Sequence, residues 1–154
     1  MNLRPAFILL ALAIAAPLPA AATKGAEPQR IAFGETVQLA DYLVPGKTVI
    51  FDFTSKFCPP CRAYDEPLHE LHAKRADLVV VKVDINRPDV KRIDWQSPVA
   101  RQFGLQSIPQ FKIYGPDGKL IAEDQLAYDD QGNNTRRETP ARAQVDAWIS
   151  QLGG

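Results

Sequence analysis

The chain's only two cysteines stand as Cys58-Pro59-Pro60-Cys61, where an apolar run gives way to a helical pattern. Thiols at this spacing can close a disulfide, and the exposed amides and dipole at a helix start favour a thiolate there. The chemistry on offer is thiol–disulfide exchange. Cys58, expected to be the more exposed thiol, attacks, and Cys61, one turn inward, resolves the mixed disulfide. A purely structural bond is the weaker reading, because a four-residue loop stabilises by only roughly 2 kcal/mol against about 4.7 for a 100-residue loop.

Resolution requires Cys61 to lose a proton in a poorly solvated place, which calls for a base. Asp52 interrupts an otherwise apolar strand six residues before Cys58. A carboxylate buried there has a raised pKa, suited to proton transfer near neutrality; an exposed strand-edge aspartate is the alternative. Lys82 interrupts a second apolar strand in the same way. If the two strands pair, Lys82 reaches Asp52 and tunes it; otherwise it snorkels to the surface.

The elements that must position these groups follow from pattern. Residues 48–54 and 78–83 are runs rich in Val, Ile and Phe, read as central strands. Residues 60–75 read as one helix with Tyr64, Leu68 and Leu71 on its apolar stripe, kinked at Pro67. Residues 31–38 are expected as an edge strand, followed by a helical turn over 40–43. Residues 84–97, with Trp95, are polar and irregular and read first as a variable loop, with a role in partner choice as the alternative. Ser97-Pro98 opens a short helix stopped by Gly104. Strands 110–114 and 120–123 flank the turn Gly115-Pro116-Asp117-Gly118. After a polar loop over 124–138, Thr139-Pro140 caps a last helix burying Val145, Trp148, Ile149 and Leu152. The class is α/β, a central mixed sheet with helices on both faces.

This order resembles the thioredoxin fold over roughly residues 47–152. The matching motifs are Phe51-Asp52-Phe53 leading to Cys58-Pro59-Pro60-Cys61, Val81-Lys82-Val83-Asp84, and the stretch from Gln102 to Ile108-Pro109. C-x-x-C alone is a weak signal; these elements in sequence are a strong one. The resemblance implies an acidic residue at position 52 as the proton carrier. It also implies a cis-proline loop at Ile108-Pro109 that faces the dithiol and pairs with a substrate strand. Ile108 looks like the reducing members of the family. Phe57, Ile108 and Phe103 form an apolar rim or join the core. Two departures stand out. Phe57 occupies the usual Trp position, and Pro-Pro replaces Gly-Pro, so Pro59 offers Cys58 no backbone donor. No histidine lies between the cysteines. These features point to a reductant or balanced exchanger, with an oxidase or isomerase-like exchanger as the alternative.

Copper handling or another binding module on the same fold is a further alternative. His69 lies roughly 12 Å along the helix from Cys61, too far to share an ion, so His69 and His72 read as solvated helix residues with no metal site. Attached haem would need His at position 62, where Arg62 stands. No cofactor is expected.

The first 22 residues read as a cleavable signal peptide: Arg4, an apolar run over 6–16, Pro17 and Pro19, then Ala20-Ala21-Ala22. The run is shorter than the about 20 residues a spanning helix needs, so stable membrane insertion is not expected. Retention as a short anchor is the alternative. Residues 23–46 form an extension with an edge element, and 47–154 the main domain. The full chain carries 18 basic and 18 acidic residues, and loss of Arg4 leaves a formal charge of −1. No basic stripe stands out, which argues against nucleic acid. The expected setting is periplasmic or otherwise exported, as a monomer acting on disulfide-bearing exported proteins. The resemblance implies a membrane thiol protein as electron donor. Asn133-Asn134-Thr135 matches a glycosylation sequon, relevant only in a eukaryotic secretory host.

Overall fold

β-Branched and aromatic residues dominate the two central strands because both faces of those strands are covered. In the computed structural model, which describes residues 25–125, 127–128, 131, 134–135 and 140–153, β2 (Thr48–Thr54) and β3 (Leu78–Asp84) are buried along nearly their whole length. They pair in parallel, with Asp52 beside Lys82, and β4 (Gln110–Tyr114) pairs antiparallel to β2 with Asp52 beside Phe111. With β1 (Gln29–Ile31) and β5 (Leu120–Glu123), the sheet order is β1-β3-β2-β4-β5. The segments 1–22, Asn133 and Thr139 lie outside the described residues. Among those described, no helix is long and apolar enough to cross a membrane.

The strand period of two sorts the core into two layers. Val49, Phe51, Phe53 and Val81 face one side with Leu39, Val99, Ala100 and both cysteines. That side is covered by a 3-10 turn at Leu39–Tyr42 and by α3 (Pro98–Gln102). Ile50, Val80, Phe111 and Ile113 face the other, against Leu68 and Leu71 of α2 (Asp65–Lys74) and Ala141 and Val145 of α4 (Pro140–Ser150). Helices therefore cover both faces, as expected.

Three local expectations change. The kinked helix over 60–75 is instead two helices, α1 (Pro59–Arg62) and α2, broken at Ala63 and Tyr64. Pro67 is the cause: it has no amide for the Ala63 carbonyl, so it sits in the first turn of a new helix. The edge strand expected over 31–38 is β1, ending at Ile31, because Ala32, Phe33 and Gly34 all take positive φ. The polar loop over 124–138 contains a two-stranded ribbon, β6 (Ala127–Tyr128) against β7 (Asn134–Thr135), too short to leave a pattern in the sequence.

Gly34 makes this turn possible. Its amide donates to the Asp84 carbonyl at 2.9 Å, its carbonyl accepts from Val99 at 3.1 Å, and an added Cβ would lie 2.6 Å from the Arg87 nitrogen. Gly34→Ala is therefore expected to destabilise by about 2–3 kcal/mol, combining backbone strain with displaced backbone. Gly46→Ala, also at positive φ but with open space around it, should cost about 1 kcal/mol. Urea midpoints of the two variants measure the difference.

Candidate active site

The chain leaves β2 at Thr54 and turns through Ser55 and Phe57 into α1. Two hydrogen bonds shape the turn: Cys58 amide to Ser55 carbonyl at 3.0 Å, and Phe57 amide to Ser55 Oγ at 3.1 Å. Cys58 is the N-cap of α1 and is joined to Cys61 by a disulfide, with Cα atoms 5.3 Å apart. Pro59 and Pro60 fill the first two helical positions and carry no N–H. The Cys61 amide is consequently the one donor the turn offers, 3.2 Å from Cys58 Sγ. A four-residue helix has little dipole to add. The long helix dipole expected from the sequence is replaced by this single amide.

Cys58 is also not the more exposed thiol. Both cysteines are 1% exposed and belong to the core layer beneath the site. The cause lies across the chain: Cys58 Sγ is 3.6 Å from the Ile108 carbonyl, on a loop whose Ile108–Pro109 bond is cis. Ile108 and Pro109 are both buried, so the loop presses its backbone, not an exposed side chain, against the sulfur. Phe103 belongs with the core, its ring 4.9 Å from that of Phe53. Phe57 is half-buried, with Lys56 Nζ 5.2 Å from its ring centre.

Asp52 is completely buried, and neither carboxyl oxygen has a hydrogen-bond partner among the described residues. Burial raises its pKa to about 7, opposed first by the charge of Lys82, while Asp65 pushes it up and Arg30 and Arg142 pull it down. An unpartnered carboxyl with this midpoint is poised to take and return a proton near neutrality. Lys82 does lie beside Asp52 in the strand register, but its ammonium is bonded to Asp65 Oδ1 at 2.5 Å. The direct Lys82–Asp52 contact is thus corrected to an influence through the field alone. Asp65 opens α2, four residues after Cys61 but on the far side of the break between the two helices.

Removing Lys82 as methionine takes away the strongest opposing charge and leaves Asp65 facing Asp52. Lys82→Met is expected to lift the Asp52 midpoint above 7 and move the pH profile of the resolving step toward alkali. Carboxyl-carbon NMR titration of Asp52 checks this, and an unmoved midpoint would contradict it.

Sequence reasoning missed a second layer because its members are far apart in the chain. Arg142, in the first turn of α4, donates from its guanidinium to the Pro109 carbonyl, and its Nε is buried without a partner among the described residues. Asp124 accepts from the Phe111 amide and the Arg142 amide, both at 2.9 Å, tying β4 to α4 behind the cis-proline loop. His72 is no solvated helix residue: it is 2% exposed, its Nδ1 accepts from the Val80 amide at 3.0 Å, and its Nε2 lies 2.9 Å from the Gly25 carbonyl. Those two bonds make it a bridge between α2, β3 and the segment before β1. His69 sits beside Glu27 at 3.1 Å.

The comparisons with known proteins agree with this geometry. A thioredoxin family model matches residues 32–135. Thioredoxin F-type, chloroplastic, of Pisum sativum is 32% identical over 77 residues, covering 50% of this chain and 38% of that protein. Thioredoxin H-type of Brassica campestris is 35% identical over 74 residues, 48% of this chain and 54% of that protein. The matched chain thus spans between about a third and a half of these relatives' length. Among solved structures, the short form of spinach chloroplast thioredoxin f superposes with a TM-score of 0.50 at 16% identity, over 86% of this chain and 98% of that one, a likeness of fold. With its disulfide, buried acid and sheet order in place, the chain belongs to the thioredoxin family.

Proposed function

We propose that this protein is a thiol–disulfide oxidoreductase that reduces disulfides in exported proteins. The observation that carries the activity is the Cys58–Cys61 disulfide at the N-cap of α1, in a domain whose central strand buries Asp52 with no hydrogen-bond partner among the described residues. In the reduced protein, the Cys58 thiolate attacks one sulfur of a partner disulfide and displaces the other as a thiolate, which takes up a proton. Asp52 accepts the Cys61 proton, and the Cys61 thiolate attacks Cys58 Sγ. The partner's second sulfur leaves and is protonated, so two electrons and two protons pass to the partner and Cys58–Cys61 is left oxidised. The backbone at Ile108 and Pro109, beside Cys58, is the platform for the partner strand, and Phe57 forms part of its rim.

Direction follows from the donor count. With Pro59 and Pro60 silent, one amide stabilises the Cys58 thiolate, and a less stabilised thiolate makes a weaker oxidant. The export reading rests on the apolar segment over 6–16 and the alanines at 20–22. It carries with it a periplasmic or other exported setting, a monomeric form, and a membrane thiol protein that re-reduces Cys58–Cys61. Equilibration with glutathione buffers tests the direction. The expected midpoint is nearer about −270 mV than about −120 mV, and the higher value would overturn the reductive role.

A further inference from the structure

The loop between β3 and α3 takes no part in the exchange steps, yet it is fastened to the turn that presents Cys58. Asn86, buried, accepts from Ser55 Oγ at 2.5 Å and donates to the carbonyls of Val90 at 3.3 Å and Arg92 at 2.5 Å. Ser55 Oγ in turn holds the Phe57 amide. Arg87 and Asp94 pair across the loop at 2.7 Å, and Asp94 also accepts from the Gln96 amide. The loop is thereby held in a defined shape beside the dithiol.

Between it and Phe57 runs a groove of about 970 Å³. Phe57, Val90, Ile93 and Trp95 give it an apolar floor, and all four remain partly exposed. Its charges are unbalanced. Arg87 is neutralised by Asp94, whereas Lys91 and Arg92 are exposed and in no ion pair among the described residues. Lys56, over the Phe57 ring, adds a third exposed cation at the active-site end. Asp89, the loop's other carboxylate, does not line the groove.

We propose that this groove docks the partner polypeptide next to its reactive disulfide, and that the docked segment carries an apolar or aromatic side chain flanked by acidic residues. Continuity with Phe57 places such a segment within reach of Cys58, and the excess positive charge selects its sign. This rests on the exchange activity proposed above and names its substrate class.

The test uses three disulfide-bridged peptides identical except for flanks that are apolar-acidic, apolar-basic or glycine-serine, with neutral hydroxyethyl disulfide as a reference. Serine versions of the peptides report docking alone by fluorescence anisotropy. The wild-type protein is expected to reduce the acidic peptide about tenfold faster in kcat/KM than the basic one. That preference should shrink in high salt, as screened surface charges require. The double variant K91E/R92E should reverse the preference while leaving hydroxyethyl disulfide reduction unchanged, and Trp95→Ala should weaken docking of every apolar peptide. Equal rates for all three peptides, or a preference that salt and charge reversal leave alone, would overturn the proposal. Should the double variant fold poorly, the salt dependence of the wild type decides. Loss of hydroxyethyl disulfide reduction with docking of the acidic serine peptide intact would instead remove the exchange activity and keep the docking site.

Discussion

Cys58→Ser is expected to abolish exchange, by at least a thousandfold, whereas Cys61→Ser should keep the first attack and stall after it. The asymmetry follows from the N-cap geometry. Only Cys58 Sγ lies against the Ile108 carbonyl, beside the loop where a partner strand would dock, and only it receives the Cys61 amide. A serine hydroxyl at position 58 is not ionised near neutral pH and does not replace a thiolate nucleophile. Cys61→Ser leaves the position-61 amide in place, so the Cys58 thiolate keeps its donor. The mixed disulfide then has no internal thiol to resolve it. Mass spectrometry of the reduced variants mixed with a disulfide peptide reads both outcomes: no adduct for Cys58→Ser, and a persistent adduct of one peptide for Cys61→Ser. Equal trapping by both variants would contradict the assigned roles. In whole cells, the same trap identifies the partner.

Asp52→Asn should slow resolution and stabilise the fold, and the two effects share one cause. Burial raises the Asp52 pKa from 3.8 to about 7. In the folded chain the carboxyl therefore keeps its proton through a range in which the unfolded chain has lost it. The folded state binds more protons between about pH 4 and 7, so stability falls as pH rises across that window and stays low above it. Holding the carboxylate ionised in the core at pH 8 costs of the order of 4 kcal/mol, since each tenfold change in its proton affinity is worth about 1.4 kcal/mol. Asparagine does not ionise. In urea titrations the unfolding free energies of the variant and the wild type are expected to differ little at pH 4 and by several kcal/mol at pH 8, with the variant the more stable. A gap that stays constant with pH would show that Asp52 is not the titrating group.

The kinetic consequence has the opposite sign. A base with a midpoint near 7 speeds Cys61 attack increasingly as pH rises toward 7, and general-base catalysis contributes typically 10²–10⁴-fold. The expected loss in Asp52→Asn is roughly a hundredfold at pH 7, the low end of that range. Above pH 8 the gap should narrow as hydroxide increasingly takes the Cys61 proton without a side-chain base. The two variant effects together are expected to show stability exchanged for rate, a pairing that a merely structural aspartate would not show.

What the sequence made legible was local. The Val and Phe runs of β2 and β3, the hairpin at Gly115 to Gly118 and the proline-led starts of α3 and α4 are each written in consecutive residues. Cys58, Cys61 and Asp52 stood out because each breaks the pattern around it. The missed features join residues that lie far apart. Burial of Cys58 depends on Ile108, fifty positions away. Lys82 turns to Asp65, and not to its register neighbour Asp52, because α2 restarts after Ala63 and brings a carboxylate over the sheet. His72 looked solvated on its helix, but its ring serves the Val80 amide of β3. Arg142 reaches the Pro109 carbonyl only through the packing of α4 on β4. The β1 end was misplaced for a different reason. Three successive positive φ values include Ala32 and Phe33, residues whose side chains give no hint of that conformation.

The central claim, that Cys58 and Cys61 carry electrons between dithiols and partner disulfides, is tested most directly by insulin disulfide reduction with dithiothreitol as the electron source. The wild-type protein is expected to bring on insulin precipitation well ahead of the buffer control, with a rate proportional to its concentration and with no effect from Cys58→Ser. Precipitation no faster than in buffer would contradict that claim and leave a thioredoxin-fold module without exchange activity.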